Sequence, residues 1–368
     1  MTGLPKRTLA AILLGSRVAR PIPGAGGNAL RILAYHRVLD DDPGSFPYDE
    51  GVISASTQGF RSQMAFVGKN FDVVSFEDLL SFEFERVRPP KRPLIITFDD
   101  GYRDNYTNAF PILRQAGLPA TIFLAAGYIG NHRLFWWDSV AFCVKHTSRR
   151  TVTLPEISLD PISFASAADK RSAIDAILRW VKQAPDEIKN RFVERLPEEL
   201  EIDQATGDAA SMQLTWDEVR TMAAANIEFG SHTMTHPILS NVTSDALETE
   251  ISGSKVMIEK ELGKEIIAFA YPVGGKLHFN PRVQAAVARS GFRYAVSYIN
   301  GLASLDRRLS TSGPQPAASA AGFSTDGLTT DRRAPDPFSM PRIHVEGGDS
   351  MNLFRANLMF PKVMLSGT

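Results

Sequence analysis

Several apolar runs in this chain of 368 residues end abruptly on residues that carry chemistry. The run Leu-Ile-Ile at 94–96 leads into Thr-Phe-Asp-Asp-Gly at 97–101, so two carboxylates follow a strand that should be buried. Burying a charge costs free energy that apolar packing does not return, so carboxylates at this position indicate a chemical role rather than a structural one. Other apolar runs end at His36, at His232 and at Pro272. Since the carboxyl ends of parallel strands meet at one rim, these segments predict a shared site.

The spacing of the apolar runs predicts the fold class. From residue 29 onward they alternate with helical periodicity, which is typical of parallel βαβ units in an α/β protein. Because the unusual polar residues all follow strands, a (β/α) barrel, closed or incomplete, is favoured over an open sheet. We expect one domain over residues 29–368. Within it, residues at about 139–210 predict a mostly helical insertion, and the Ser-, Ala-, Pro- and Gly-rich residues at about 301–338 predict a long loop.

Local signals place individual helices. Ser75 with Asp78, and Thr215 with Glu218, have the spacing of capping boxes, which start helices. Apolar residues recurring on one face predict a long helix at about 244–262.

The first 28 residues form a predicted leader. Lys6 and Arg7 precede a short apolar run at 9–14, and Arg17 and Arg20 follow it. The run is far shorter than the roughly 20 apolar residues that span a bilayer, and no clear signal-peptide cleavage site follows it. A basic amphipathic segment of this kind can associate with a membrane surface. A mobile or docked leader is the alternative, so cytoplasmic, membrane-peripheral and periplasmic locations all stay open.

Composition limits the kinds of partner and site. A formal net charge of −1, from 40 basic and 41 acidic residues, gives no basis for nucleic-acid binding. The single cysteine, Cys143, excludes an internal disulfide and cysteine-rich zinc sites. Any metal must therefore be held by carboxylates and by some of the seven histidines.

The aspartates and two histidines together suit a metal site. His232 and His236 are four positions apart, which places both imidazoles on one helical face or on one rim of a turn. One carboxylate and two imidazoles make a three-ligand set, and the second carboxylate is left over as a base. Asp99 and Asp100 would point to opposite faces of a regular strand, but Gly101 permits a turn that brings them together. Taken alone, the acidic pair is equally expected as a helix N-terminus.

The motifs and their order resemble the polysaccharide deacetylase family, the carbohydrate esterases with a NodB-homology domain. Thr-Phe-Asp-Asp-Gly at 97–101, His-Thr-Met-Thr-His at 232–236 and Phe-Ala-Tyr-Pro-Val-Gly at 269–274 resemble its first three motifs, over roughly residues 29–300. The resemblance implies a distorted (β/α) barrel and metal-dependent removal of N-acetyl groups from amino-sugar polymers. It also implies that Asp100, His232 and His236 hold the metal. The ligand set suits Zn²⁺, with Co²⁺, Mn²⁺ or Ni²⁺ as alternatives.

The same resemblance implies roles for the base and for the third motif. Asp99 would be the general base that takes a proton from water. The third motif supplies the substrate and oxyanion contacts, with the backbone N–H of Val273 in the oxyanion position, and its members here include Tyr271 and Pro272. Where that motif often carries an arginine that orients the base, this chain has Ala270. Arg342 from the last predicted strand, or Arg37, could substitute.

Two histidines compete for the role of general acid, which protonates the departing amine. His344 matches the usual late position of the family's histidine. His36 resembles the leading motif of relatives in which the acid precedes the first carboxylates, and it ends a predicted strand as the other site residues do. We favour His36 and keep His344 as the alternative.

These observations predict a hydrolase that removes N-acetyl groups from a chitooligosaccharide-like or poly-N-acetylglucosamine-like glycan. An O-acetyl esterase or a deformylase on the same scaffold is an alternative, as is a glycan-binding domain without catalysis. A glycosidase is disfavoured, because neighbouring carboxylates rarely face each other across a glycosidic bond at about 5–9 Å. The expected partner is the acetylated glycan, and the sequence gives no indication of an oligomeric state.

Overall fold

The computed structural model describes residues 5–15, 29–40, 45–85, 87–131, 133–202, 212–305 and 336–365. In these residues the strands are β1 (Ala29–Tyr35), β2 (Arg37–Val38), β3 (Ile53–Ala55), β4 (Asp72–Val73), β5 (Pro93–Phe98), β6 (Ala120–Leu124), β7 (Thr151–Val152), β8 (Ile162–Ser163), β9 (Ile227–Ser231), β10 (Ala268–Ala270), β11 (Tyr294–Asn300), β12 (Ala303–Ser304) and β13 (Met340–His344). The α-helices are α1 (Lys6–Gly15), α2 (Thr57–Asn70), α3 (Phe76–Phe84), α4 (Phe110–Ala116), α5 (Trp136–His146), α6 (Ala167–Val181), α7 (Asp186–Glu199), α8 (Trp216–Ala223), α9 (Ser244–Glu248), α10 (Ser254–Leu262), α11 (Pro281–Arg289), α12 (Met351–Met359) and α13 (Pro361–Met364). Two π-helical segments are present at Asn105–Ala109 and Thr249–Gly253.

Seven parallel strands close into a barrel in the order β1-β13-β11-β10-β9-β6-β5. The ring closes where β5 pairs with β1, from Leu94 opposite Arg31 to Phe98 opposite Tyr35. Outside the ring, β4 adds in parallel to β5, and β12 pairs antiparallel to the start of β1. The predicted (β/α) barrel is therefore confirmed, and it is closed.

The two-residue period of the strands explains which side chains reach the interior. On β5, Leu94, Ile96 and Phe98 pack outward against the helices, whereas Ile95 packs in the interior cluster. By the same alternation Thr97, and Asp99 just beyond the strand, face inward. The barrel interior is thus apolar near the amino ends of the strands and polar near their carboxyl ends, where the candidate residues lie.

The helix signals in the sequence hold at several positions. Both predicted capping boxes are present, with Ser75 and Asp78 at the start of α3 and Thr215 and Glu218 at the start of α8. The predicted helix at about 244–262 is present, and its middle segment, Thr249–Gly253, is π-helical. Apolar periodicity predicts a helix there but does not distinguish a π-helical turn from an α-helical one.

The predicted insertion contains helices α5, α6 and α7 and the antiparallel hairpin β7–β8. These elements pack around their own apolar cluster, separate from the barrel cores. Its last part, residues 203–211, lies outside the described residues, as do residues 306–335 of the predicted 301–338 loop.

Helix α1 is the described part of the predicted leader at residues 1–28. It packs on α12 and α13, where Ala10 is fully buried against Leu353 and Phe360. The Arg7 guanidinium donates a hydrogen bond to the carbonyl of Gly348 at 2.6 Å. Residues 1–4 and 16–28 lie outside the described part. No helix in the described ranges is long and apolar enough to cross a membrane.

Candidate active site

The turn after β5 brings both carboxylates into one cavity of about 550 Å³ at the carboxyl end of the barrel. Asp100 has φ 77° and Gly101 has φ 83°, so two successive residues adopt the left-handed region. A side chain at position 101 would lie 2.9 Å from Leu124 Cδ2 and from Ile129 Cδ1, which explains glycine there. The left-handed turn redirects Asp100, so that it lines the same cavity as Asp99.

Asp99 is held by the buried arginine of β13. Arg342 donates from Nη1 to Oδ1 at 2.8 Å and from Nη2 to Oδ2 at 2.7 Å, which is a bidentate pair. The guanidinium is fixed in turn by the carbonyl of Ser297 at 2.9 Å and by Thr97 Oγ1 at 3.1 Å. Burial acts to raise the pKa of Asp99, but the positive charge of Arg342 outweighs it and holds that pKa at about 2. Asp99 is therefore ionised at neutral pH.

Asp100, His232 and His236 converge on one point. Oδ1 of Asp100 lies 3.5 Å from Nε2 of His232 and 3.4 Å from Nε2 of His236. All three side chains are buried, and their ligand atoms lie within 4.8 Å of one another. In the described part of the chain, Asp100 Oδ1 has no hydrogen-bond partner. Such a group of one carboxylate and two imidazoles could hold a divalent metal ion.

The surroundings of these three residues favour that interpretation. His232 Nδ1 lies 2.8 Å from the carbonyl of Ala270, so this nitrogen carries the hydrogen and Nε2 is free to ligate. Burial and the neighbouring charge of Asp99 raise the pKa of Asp100 well above its usual value. Burial likewise lowers the pKa of His236 well below its usual range, which leaves the ring neutral. A bound cation would compensate the charge of Asp100 and accept the lone pairs of both rings.

His36 lies in the cavity next to Asp99. Its Nε2 is 3.9 Å from Asp99 Oδ2, and its side chain keeps 19% of its surface exposed. Its backbone is fixed by Ser54, whose Oγ accepts the His36 N–H at 2.9 Å. Burial lowers the pKa of His36 to about 4. The ring is neutral at neutral pH and can pass a proton on only after receiving one.

His344 is placed differently from His36. Its ring stacks on Tyr298 with centroids 3.7 Å apart and planes 9° apart. Among the described residues that line the cavity, His36 and Tyr298 are present and His344 is absent. Its Nε2 has no hydrogen-bond partner in the described ranges.

The three residues of the third motif differ in what they offer to the cavity. The Tyr271 ring stacks on Phe279 with centroids 4.1 Å apart, and its hydroxyl donates to the Phe338 carbonyl at 2.9 Å. Its backbone N–H donates to Val296 in the sheet, and Pro272 has no N–H to give. Val273 has φ 58°, lines the cavity, and makes no hydrogen bond through its N–H with any described residue. Of the three, only Val273 has an N–H free for an oxyanion.

A family model for polysaccharide deacetylases matches residues 86–295, which is more than half of the chain. This chain belongs to the polysaccharide deacetylase family. The deacetylase is 21% identical over 279 residues to YxkH of Bacillus subtilis, which carries the family's name, and this match covers 76% of the chain and 67% of that protein. It is 32% identical over 114 residues to a poly-β-1,6-N-acetyl-D-glucosamine N-deacetylase of Staphylococcus epidermidis. That match covers 28% of the chain and 38% of the relative.

Solved structures show that the deacetylase shares its fold with this family. Streptococcus pyogenes deacetylase PplD, in complex with acetate, superposes with a TM-score of 0.54 at 18% identity over 90% of the chain and 99% of its own. A de-N-acetylase from Aggregatibacter actinomycetemcomitans superposes with a TM-score of 0.52 at 15% identity, over the same shares of the two chains. The fold is thus the distorted barrel of this family, and the family match makes the enzyme a hydrolase.

The insertion of the deacetylase also contacts the site through side chains around His236. The motifs did not predict these contacts. The Trp137 ring packs on His236 with centroids 4.5 Å apart, and its Nε1 donates to the Tyr102 hydroxyl at 2.8 Å. That hydroxyl donates to Asp138 Oδ2 at 2.7 Å. Trp136 Nε1 donates to the carbonyl of His236 at 3.2 Å. The adjacent pair of tryptophans at the start of the insertion was the available sequence signal, but it does not say which loop they contact.

Helix α6 of the insertion forms a wall of the cavity. Asp175, Leu178, Arg179 and Lys182, the last just beyond the helix, all line it. Their spacing of three, four and seven positions places them on one helical face. No ion pair within the described residues involves Lys182 or Arg179.

Proposed function

We propose that this protein is a metal-dependent hydrolase that removes N-acetyl groups from an amino-sugar polysaccharide of the poly-N-acetylglucosamine type. The observation that carries the proposal is the convergence of Asp100, His232 and His236 beside the ionised Asp99 in one cavity. The named activity of the Staphylococcus epidermidis relative supports this choice of substrate.

Asp100, His232 and His236 would hold the cation. Two ligand atoms about 2.0–2.1 Å from a tetrahedral Zn²⁺ lie about 3.3–3.4 Å apart. The contacts from Asp100 Oδ1 to the two Nε2 atoms, at 3.5 and 3.4 Å, are close to that separation. These separations fit a divalent metal ion, and the set of one carboxylate and two imidazoles favours Zn²⁺, with Co²⁺, Mn²⁺ and Ni²⁺ as the ions to compare by reconstitution. When bound, such a cation lowers the pKa of water and polarises the amide carbonyl.

Asp99 would take the proton from the attacking water. Its carboxylate is ionised, and the bidentate contact with Arg342 fixes its plane. Arg342 would thus have the base-orienting role that Ala270 cannot have. The Val273 N–H would donate a hydrogen bond to the oxygen on which negative charge develops.

His36 would deliver a proton to the departing amine. As the C–N bond breaks, the amine nitrogen must gain a proton. Asp99, which would accept the proton of the water, has its Oδ2 3.9 Å from His36 Nε2. His344 stays the alternative acid. The stack on Tyr298 keeps its ring out of the cavity lining, and this is the reason for preferring His36.

Acetate release tests the proposal. We expect the purified protein to release acetate from β-1,6-linked N-acetylglucosamine oligomers, with chitooligosaccharides and peptidoglycan as comparison substrates. A chelator should abolish release and added Zn²⁺ should restore it. His232→Ala should lose stoichiometric metal, whereas His146→Ala, which alters a histidine outside the cavity, should keep it.

Other products would identify the alternatives. Acetate released only from O-acetylated glycans would indicate an esterase, and formate from N-formyl sugars a deformylase. A parent protein that binds glycan but holds no stoichiometric metal would contradict the proposal and favour a binding domain.

A further inference from the structure

The loop between the two histidine ligands has an unfavourable backbone conformation. Thr233 has φ 71° and His236 has φ 56°, and neither is glycine. Left-handed conformations of residues other than glycine are strained and persist only when the surroundings impose them. For Thr233, a β-branched residue, the conformation is rarer still. Other contacts must therefore hold this loop.

Glu250 provides the largest set of side-chain contacts to it. Its Oε2 accepts the N–H of Met234 and the N–H of Thr235, both at 2.9 Å, and its Oε1 accepts the Thr235 hydroxyl at 2.6 Å. The residue is 9% exposed, so these hydrogen bonds are largely shielded from water. One carboxylate therefore fixes two consecutive peptide groups between the ligands.

The helix that carries Glu250 is π-helical at this contact. Glu250 lies in the segment Thr249–Gly253, in the middle of the predicted helix. Four positions later, Ser254 lies 2.7 Å through Oγ from the Oγ of Ser231, which precedes the first histidine ligand. Segments of π-helix occur often at functional sites. The π-helical segment thus occurs where two polar side chains of the helix contact the ligand loop.

We propose that Glu250 is a positioning residue that holds the 232–236 loop in its metal-binding conformation before the metal binds. The inference rests on the proposed metal site. Without the carboxylate, the Met234 and Thr235 N–H groups lose their acceptor, and the strained loop relaxes. The fraction of molecules with both imidazoles aligned then falls, and the apparent metal affinity falls in proportion.

Metal affinity measured directly tests this role. We expect Glu250→Ala to raise the dissociation constant for Zn²⁺, measured in competition with a chromophoric chelator, by about 10- to 100-fold. Glu250→Gln should have a smaller effect, because its amide oxygen still accepts N–H bonds and its amide nitrogen can donate to the Thr235 hydroxyl. Glu259→Ala is the matched control. Glu259 accepts the N–H of Ile266 at 3.0 Å outside the cavity, so its loss should leave the dissociation constant unchanged.

Hydrogen exchange of the metal-free proteins supplies a readout of the loop itself. The Met234 and Thr235 amides should exchange faster in Glu250→Ala than in the parent and at the parent's rate in Glu259→Ala. A Glu250→Ala protein that binds Zn²⁺ within twofold of the parent would overturn the inference.

The remaining outcomes are also decisive. If Glu250→Ala does not fold, Thr235→Val removes one of the three hydrogen bonds, and an unchanged dissociation constant there would overturn the positioning role. A folded parent that binds no metal would instead overturn the proposed function.

Discussion

Asp99 and Asp100 are adjacent in sequence but lie in opposite electrostatic environments. Arg342 outweighs the effect of burial on Asp99 and holds its pKa at about 2, whereas burial and Asp99 itself raise the pKa of Asp100. The left-handed turn at Asp100 gives the two carboxylates different neighbours. One is thus an anion with a fixed counter-charge, and the other needs a cation.

Replacing Arg342 tests the orientation of the base. We expect Arg342→Lys to lower kcat by about 100-fold while metal content stays unchanged, because an ammonium cannot form the bidentate contact and Asp99 is misplaced. Arg31→Lys is the control, since Arg31 is also buried but donates to the carbonyl of Leu358 at 2.9 Å rather than to Asp99. Steady-state kinetics and metal analysis of both variants check this, and a parent-like kcat for Arg342→Lys would contradict it.

The choice between His36 and His344 can be tested with the leaving group. We expect His36→Gln to slow deacetylation of an N-acetylglucosamine oligomer by about 10²- to 10⁴-fold. The same variant should cleave an aryl acetate at nearly the parent rate, because a phenolate leaves without a proton. His344→Gln should show no such difference between the substrates. The reverse pattern in the two variants would assign the acid to His344.

At the scale of elements, the barrel strands and the turns after them carry the candidate catalytic groups, and the insertion borders them. Strand β13 presents Arg342 to the interior, and the turns after β1, β5 and β9 present His36, the two aspartates and the histidine ligands. Helix α6 adds a polar face to the cavity wall. In the proposed function, the chemistry would thus come from the barrel, while the contacts that select a glycan would come from the insertion.

A charge on this wall should affect binding more than chemistry. We expect Lys182→Met to raise KM for the oligomer by about 3- to 10-fold at unchanged kcat, which corresponds to the loss of one hydrogen bond to the sugar. Lys260→Met removes an exposed cation that does not line the cavity and is the control. A kcat that falls at constant KM would place Lys182 in the chemical step instead.

At the scale of the molecule, barrel closure assembles the site. The ion pair of Arg342 with Asp99 joins residues 243 positions apart. Arg342 lies on β13 and Asp99 follows β5, and β1 lies between these two strands in the closed barrel. The apolar cluster of the insertion and the cluster under α1 are separate from the barrel interior. Helix α1 is docked on α12 and α13, with Ile12 exposed. This packing does not test the association of the leader with a membrane surface, which stays a prediction.

The docking of α1 predicts a stability effect without a catalytic one. We expect Ala10→Glu to lower the free energy of unfolding by about 1–3 kcal/mol, because a buried charge undocks the helix from Leu353 and Phe360. Ala11 is the exposed neighbour, and Ala11→Glu should change stability by less than about 0.5 kcal/mol. Both variants should keep the parent kcat, because no residue of α1 lines the cavity. Urea titration with parallel assays decides this, and equal stability of the two variants would contradict the docking.

Local sequence patterns alone were enough to predict much of this fold. Alternating apolar runs and helical periodicity predicted the barrel, and two capping boxes predicted the starts of α3 and α8, because these signals act within a few residues. The motifs likewise predicted the candidate residues Asp99, Asp100, His232 and His236. Their convergence followed from one rule, that parallel strands end at the same rim.

Only the tertiary structure decided how those residues are held. The bidentate contact of Arg342 with Asp99, the position of His36 in the cavity and the support of the ligand loop by Glu250 all join segments far apart in sequence. The left-handed turns at Asp100 and His236 were equally inaccessible, because such residues adopt them only when surrounding contacts offset the strain. The sequence therefore determined which groups meet at the rim, since periodicity is local. Closure of the barrel determined their partners and their directions, since these depend on contacts that no local pattern encodes.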